Sequence, residues 1–98
     1  MTRPKKCRFV SCNPRALYFK PRGIPLSQLE ETGLDIDELE AIRLADYEGM
    51  YHEDAAVKMN ISRPTFGRIL KHARSKVADA IVNGKALRIE QSFVKEEE

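Results

Sequence analysis

Residues 51–76, YHEDAAVKMNISRPTFGRILKHARSK, decide the reading of this chain, because they parse as two helices joined by a tight turn. Asn60-Ile61-Ser62 supplies the turn. Ser62 can accept a hydrogen bond from an otherwise unpaired backbone N–H, and Pro64 suits a first turn whose N–H groups have no intrahelical partner. Beyond that cap, Phe66, Ile69, Leu70, Ala73, Val77, Ala80 and Ile81 recur at the spacing of a helix lying against a core. At about 100° per residue, Arg63, Gly67, Arg68, Lys71, Arg74 and Ser75 fall on the other side. No acidic residue stands between Ala55 and Ala78, so that side is cationic.

A basic helix face is often no more than a solvated one. Three details point further. Ala55 and Ala56 put small side chains where crossing helices approach, and Ile61 offers an apolar plug in the turn. The cap then places Arg63, Thr65 and Arg68 at the amino-terminal end of the second helix, the end that enters the major groove in a helix-turn-helix. The expected partner is therefore double-stranded DNA.

Arg63 and Arg68 are the expected base readers, since a planar guanidinium can bond guanine O6 and N7 together, whereas Lys71, Arg74 and Lys76 lie farther along and suit phosphates. Thr65 suits a thymine methyl or a phosphate, and Ser62 either joins it or serves only as a cap. Glycine inside a helix costs about 1 kcal/mol relative to alanine. Close backbone approach to DNA is one reason to keep Gly67 there; a helix bend or an untuned surface site is the other. Arg3, Lys5 and Lys6 are candidates for a minor-groove arm, or else a free tail.

Working outward, the preceding helix starts after Asp35, whose side chain can cap while Glu38 three residues on returns the bond, and it runs to about Glu48. Leu39, Ile42 and Ala45 are its expected buried stripe. Gly49 ends it by permitting a left-handed backbone. Residues 26 to 31 suit a short turn of helix. Asn83-Gly84 ends the long helix, and Ala86-Leu87-Arg88-Ile89-Glu90 alternates like a strand, whose partner is expected at Arg8-Phe9-Val10 or Leu17-Tyr18-Phe19. The expected fold is mainly α, a three-helix helix-turn-helix core with a small β element formed by the N- and C-terminal segments. Along the chain this gives a basic arm or hairpin over 1–25, a DNA-binding domain over 26–84, and a strand with a disordered acidic tail over 85–98.

ISRPTFGRILKHARSKV resembles the end of the region-four helix-turn-helix of sigma-70-type factors. More of the chain, from RPKKC through YFKPRGIPL, DELEAIRLADYEGMYHEDAAVKM and SRPTFGRIL to VNGKALRIE, resembles a family of small, uncharacterised prokaryotic proteins predicted to bind DNA. The second likeness covers nearly everything except the last few residues. It implies DNA binding, while the region-four likeness implies the same division between base-reading and phosphate-contacting positions.

Charge is segregated in a way that fits. The net charge is only +2, yet residues 1 to 22 hold seven basic side chains and no acid, while residues 27 to 54 hold ten acids against Arg43 alone. An acidic helix turned away from the duplex would oppose non-specific collapse onto DNA. It could equally dock on a basic partner such as RNA polymerase, which makes a protein-binding adaptor the main rival. With 98 residues the core is limited, so a homodimer is the expected assembly.

No apolar run is long enough to span a bilayer and no secretory signal is recognisable, so a cytoplasmic location is expected. Cys7 and Cys12 then stay reduced thiols. Their spacing offers two metal ligands where a structural zinc site wants four, so no metal or other cofactor is expected, and a thiol- or metal-gated sensor is the third alternative. His52, His72, Asp54 and the cysteines show no spacing that joins a nucleophile to a base, and no glycine-rich phosphate loop occurs. An enzyme is not expected.

Overall fold

The computed structural model describes residues 9–11 and 13–91. Its elements run β1 (Tyr18–Phe19), a 3₁₀ turn (Leu26–Gln28), β2 (Glu31–Asp35), α1 (Ile36–Ile42), a π-helical turn (Arg43–Tyr47), α2 (His52–Lys58), α3 (Arg63–Asn83) and β3 (Ala86–Glu90). Among the described residues three helices thus accompany a three-stranded sheet, an arrangement compatible with a small mixed α/β domain and not clearly mainly α.

Most of the expected boundaries hold. Asp35 and Glu38 form the capping box at the start of α1, the Asp35 N–H donating to Glu38 Oε1 at 2.9 Å. The helix then widens. Glu48 N–H reaches back to the Arg43 carbonyl at 2.8 Å, and Arg43 is clamped between Glu40 and Glu48. Gly49, at φ 75°, turns the chain toward α2. At its far end α3 stops at Gly84 in the left-handed region.

The sheet corrects the sequence reading in one respect. β1 pairs with β3 antiparallel, Tyr18 opposite Arg88, as the alternation at residues 86 to 90 suggested. β2, however, pairs with the other side of β3 in parallel, Glu31 opposite Ala86 through Asp35 opposite Glu90. β3 is therefore the central strand, and the helices form the crossover between its parallel partners. Residues 9–11 belong to no strand. Phe9 N–H bonds the Met59 carbonyl and Ser11 N–H bonds Glu40 Oε2, so this segment crosses the helices instead. The expected arm at Arg3, Lys5 and Lys6 and the expected tail over 92–98 lie outside the described residues.

Two apolar clusters meet along α3. Ala41, Leu44, Ala55, Ala56, Met59, Phe66 and Leu70 form one, and Leu34, Ile36, Ala73 and Ile89 form the other, under the sheet. The stripe expected on α1 is displaced: Leu39, Ile42 and Ala45 are only half-buried, while Ile36, Ala41 and Leu44 are buried beside the charged Glu38 and Glu40. Those carboxylates tolerate burial because each is paired, Glu38 with Lys76 and Glu40 with Arg43. Ile81, expected inside, is 75% exposed, because Ala80 takes the buried side of this turn and Ile81 points about 100° away from it. No helix of the described residues is long and apolar enough to cross a membrane.

Candidate functional site

The turn between α2 and α3 is built to aim the start of α3. Ala55 and Ala56 are fully buried, which lets α2 approach Phe66 and Leu70 of α3 closely. Asn60 takes φ 60°, a left-handed conformation that asparagine accepts more readily than most residues. Ile61 packs as the half-buried plug, and its N–H bonds the Ala56 carbonyl at 3.1 Å. Ser62 Oγ accepts the Thr65 N–H at 3.2 Å, as its position predicted. Its hydroxyl also donates to Thr65 Oγ1 at 2.9 Å, and Arg68 Nη2 reaches the same oxygen at 3.2 Å.

The structure brings most of the expected side chains to one surface. Arg63, Arg68, Lys71, Arg74 and Ser75 are exposed, and Gly67 lies half-buried among them. A methyl group added at Gly67 would meet nothing within 4 Å, so the glycine leaves the helix open to close approach from outside. Beside it runs a cleft of about 470 Å³, lined in part by His52, Lys71, Arg74 and Ser75. His52 is the residue of this surface that the sequence did not single out. As the first residue of α2, its ring stands edge-on to buried Phe66, with centroids 5.4 Å apart.

Two of the expected phosphate contacts are already engaged. Arg74 makes a two-pronged bond to Asp46 of the π turn, Nη2 to Oδ1 at 2.7 Å and Nε to Oδ2 at 3.2 Å. That guanidinium holds the Asp46 carboxyl below the usual range. Lys76 departs altogether. Nine residues beyond Gly67, it sits about 180° around the helix, on the side facing α1, where its ammonium meets Glu38 Oε1 at 2.7 Å. Arg63 and Lys71, by contrast, have no carboxylate partner among the described residues. Arg3, Lys5, Lys6, Cys7 and Cys12 lie outside the described residues, among which no group of three or more potential ligands is placed to hold a metal.

A chemically simple surface results. It offers guanidinium, ammonium and hydroxyl donors over about four turns of helix, with open space beside Gly67.

A family model described as "Protein of unknown function DUF134" matches residues 1–95. The chain is 59% identical over 90 residues to a UPF0251 protein of Desulfosudis oleivorans, an overlap of 92% of this chain and 65% of that one. It is 57% identical over 90 residues to a UPF0251 protein of Thermoanaerobacter pseudethanolicus, with 92% and 76% covered. A UPF0251 protein of Desulforudis audaxviator is 60% identical over 90 residues, with 92% and 59% covered. The chain thus spans less than two thirds of the first and third of these relatives. No solved structure matches it.

Proposed function

We propose that this chain, which belongs to the DUF134 family, is a sequence-specific DNA-binding protein that regulates transcription through the amino-terminal half of α3. One observation carries the reading: Arg63, Arg68 and Lys71 stand exposed on one side of a helix whose start is fixed by the Ser62 cap and whose other side is buried. Such a helix fixes the position and direction from which a row of donors is presented to a major groove. Arg63 and Arg68 read base edges; Lys71, Ser75 and the backbone at Gly67 meet phosphate and groove wall. Arg74 is available to a phosphate once Asp46 releases it. Lys76 has no part in this, being committed to Glu38. The mechanism is groove insertion, with no bond made or broken.

The test is selection from a random DNA pool, with binding constants followed against salt for the wild type and for Arg63→Ala/Arg68→Ala. A palindromic motif lost by the double variant, with each arginine worth about 1–3 kcal/mol at its own base pair, supports base readout. Absence of any enriched motif, with weak salt-sensitive binding that the double variant retains, would sink it.

A second reading is favoured by a different surface. Tyr47, Tyr51 and Val57 are 82%, 77% and 76% exposed, and Glu48, Glu53 and Asp54 lie exposed in the same segment. An apolar and acidic surface of this kind suits a basic protein partner such as RNA polymerase. Charge reversal at Arg63 and Arg68 abolishes the function of a DNA reader and spares that of an adaptor.

A further inference from the structure

Along the outward side of α3 the chemistry changes at Ala78. Arg63, Arg68, Lys71 and Arg74 precede it; Ile81 and Val82, 75% and 78% exposed, come after it. Ile81 lines an open groove of about 480 Å³ together with Phe19 of β1, Leu87 of β3, and Val77 and Ala80 of α3, with Lys20 and the Asp79-bound Lys85 also on its wall. Phe19 is itself 55% exposed. A domain of this size has little apolar surface to spare, and each Å² left in water forgoes about 25 cal/mol.

The charges around this strip say what covers it. Because β3 is central, Lys20 beside β1 and Glu30 before β2 stand on opposite flanks. Lys20 Nζ donates to the carbonyls of Pro21 and Ile24, at 3.0 and 2.7 Å, and meets no carboxylate among the described residues. The Glu30 side chain is 80% exposed; Lys85, 3.6 Å away, is held more closely by Asp79 at 3.0 Å. An uncompensated cation on one flank, an exposed carboxylate on the other and an apolar strip between them match their own two-fold image. A polyanion would meet Glu30 with like charge, and a polycation would meet Lys20.

We propose that this face binds a second copy of the chain, with Ile81, Val82 and Phe19 packed across a two-fold axis and Lys20 of each copy facing Glu30 of the other. The pairing stands on these residues alone; its consequence for DNA rests on the proposed role of α3. Arg68 lies thirteen residues before Ile81, about 20 Å along the helix. Two copies joined at Ile81, with axes about 8–10 Å apart, hold their Arg68 side chains at most about 50 Å apart. Half-sites one DNA turn apart, about 34–36 Å, are within reach, and half-sites two turns apart are not.

The test is sedimentation equilibrium of the full chain without DNA, at concentrations up to tens of micromolar. The expected mass is twice the 11.2 kDa of one chain, falling to one chain in Ile81→Lys/Val82→Lys, whose helical circular dichroism stays that of the wild type because both sites are exposed. Lys20→Glu shifts the equilibrium toward single chains, and Lys20→Glu/Glu30→Lys restores it. A wild type of single-chain mass, a paired Ile81→Lys/Val82→Lys, or a charge exchange that fails to restore pairing would each overturn the proposal. Loss of DNA binding in Arg63→Ala/Arg68→Ala leaves the mass unchanged, so the two readings fail separately.

Discussion

Lys76 of α3 and Glu38 of α1 share a contact at 2.7 Å, on the same carboxylate oxygen that accepts the Asp35 backbone N–H. One oxygen thus ties the start of α1 to the middle of α3, and the Glu38 side chain is only 9% exposed. Removing Lys76 leaves a mostly buried carboxylate short of its cation. Lys76→Met is expected to cost about 2 kcal/mol, discounted because the lysine is itself one-third exposed, and to lower Tm by about 8–16 °C in a domain of this length. DNA affinity, measured at a temperature where the variant is folded, should stay within a factor of about two, since a lost phosphate contact would instead flatten the salt dependence by about one unit of slope. Thermal melts and salt titrations of the one variant check both halves.

Gly67→Ala separates stability from function. Nothing lies within 4 Å of the added methyl, and the residue sits in the interior of a long helix, so alanine should stabilise the fold by about 0.5–1 kcal/mol. If the open backbone at Gly67 approaches DNA, the same change weakens binding, by about tenfold for a displaced contact worth 1.4 kcal/mol. A higher Tm with unchanged affinity would show that the glycine has no part in groove contact.

The Arg74–Asp46 pair holds one cation of the basic surface in reserve. Both side chains are substantially exposed, 53% and 39%, so the pair adds little to stability. Asp46→Asn is expected to shift Tm by no more than a few degrees while releasing Arg74 toward phosphate. Binding should tighten, and log K should fall more steeply with log salt, by about one additional unit of slope. Fluorescence anisotropy at several salt concentrations decides this, and an unchanged slope would mean that Arg74 points away from the duplex.

How far the fold could be read depended on whether its causes were local. Ser62, Asp35 with Glu38, Gly49 and Gly84 each set an element boundary through neighbours a few residues away, and the structure keeps all of them. β2 had no such signature. Glu31-Thr32-Gly33-Leu34-Asp35 lacks the alternation of a strand, and its pairing with β3 joins residues more than fifty positions apart. Buried Glu38 and Glu40 misled the reading of α1, because a carboxylate looks outward until its burial is known: Glu38 meets Lys76 of α3, and Glu40 is covered although its Arg43 partner lies only three residues on. At the candidate site, helical spacing grouped Arg63, Gly67, Arg68 and Lys71 correctly. It could not show that Asp46 reaches Arg74, nor that His52 of α2 stands beside Gly67, since both relations cross between elements.

Two carboxylates should leave opposite marks on the acid side of the stability curve. Burial, together with Glu38 and Glu90 nearby, raises Asp35 above the ordinary carboxylate range, with Lys76 opposing. Its native form therefore binds the proton more tightly than the unfolded chain does, so the penalty of ionising it is complete at neutral pH and is relieved as pH falls through the raised native value toward the unfolded one. Asp46 behaves in reverse: its hydrogen bonds to Arg74 lower it, so its contribution is present above the unfolded value and lost as pH falls through the lower native one. Melting from pH 7 to 3 should show Asp35→Asn more stable than wild type at neutral pH, since asparagine can still cap α1, with the advantage shrinking toward pH 4. Asp46→Asn should melt slightly below wild type at neutral pH and converge with it in acid. An Asp35→Asn advantage that persists unchanged to pH 3 would show that the gain came from capping or packing rather than from the removed charge.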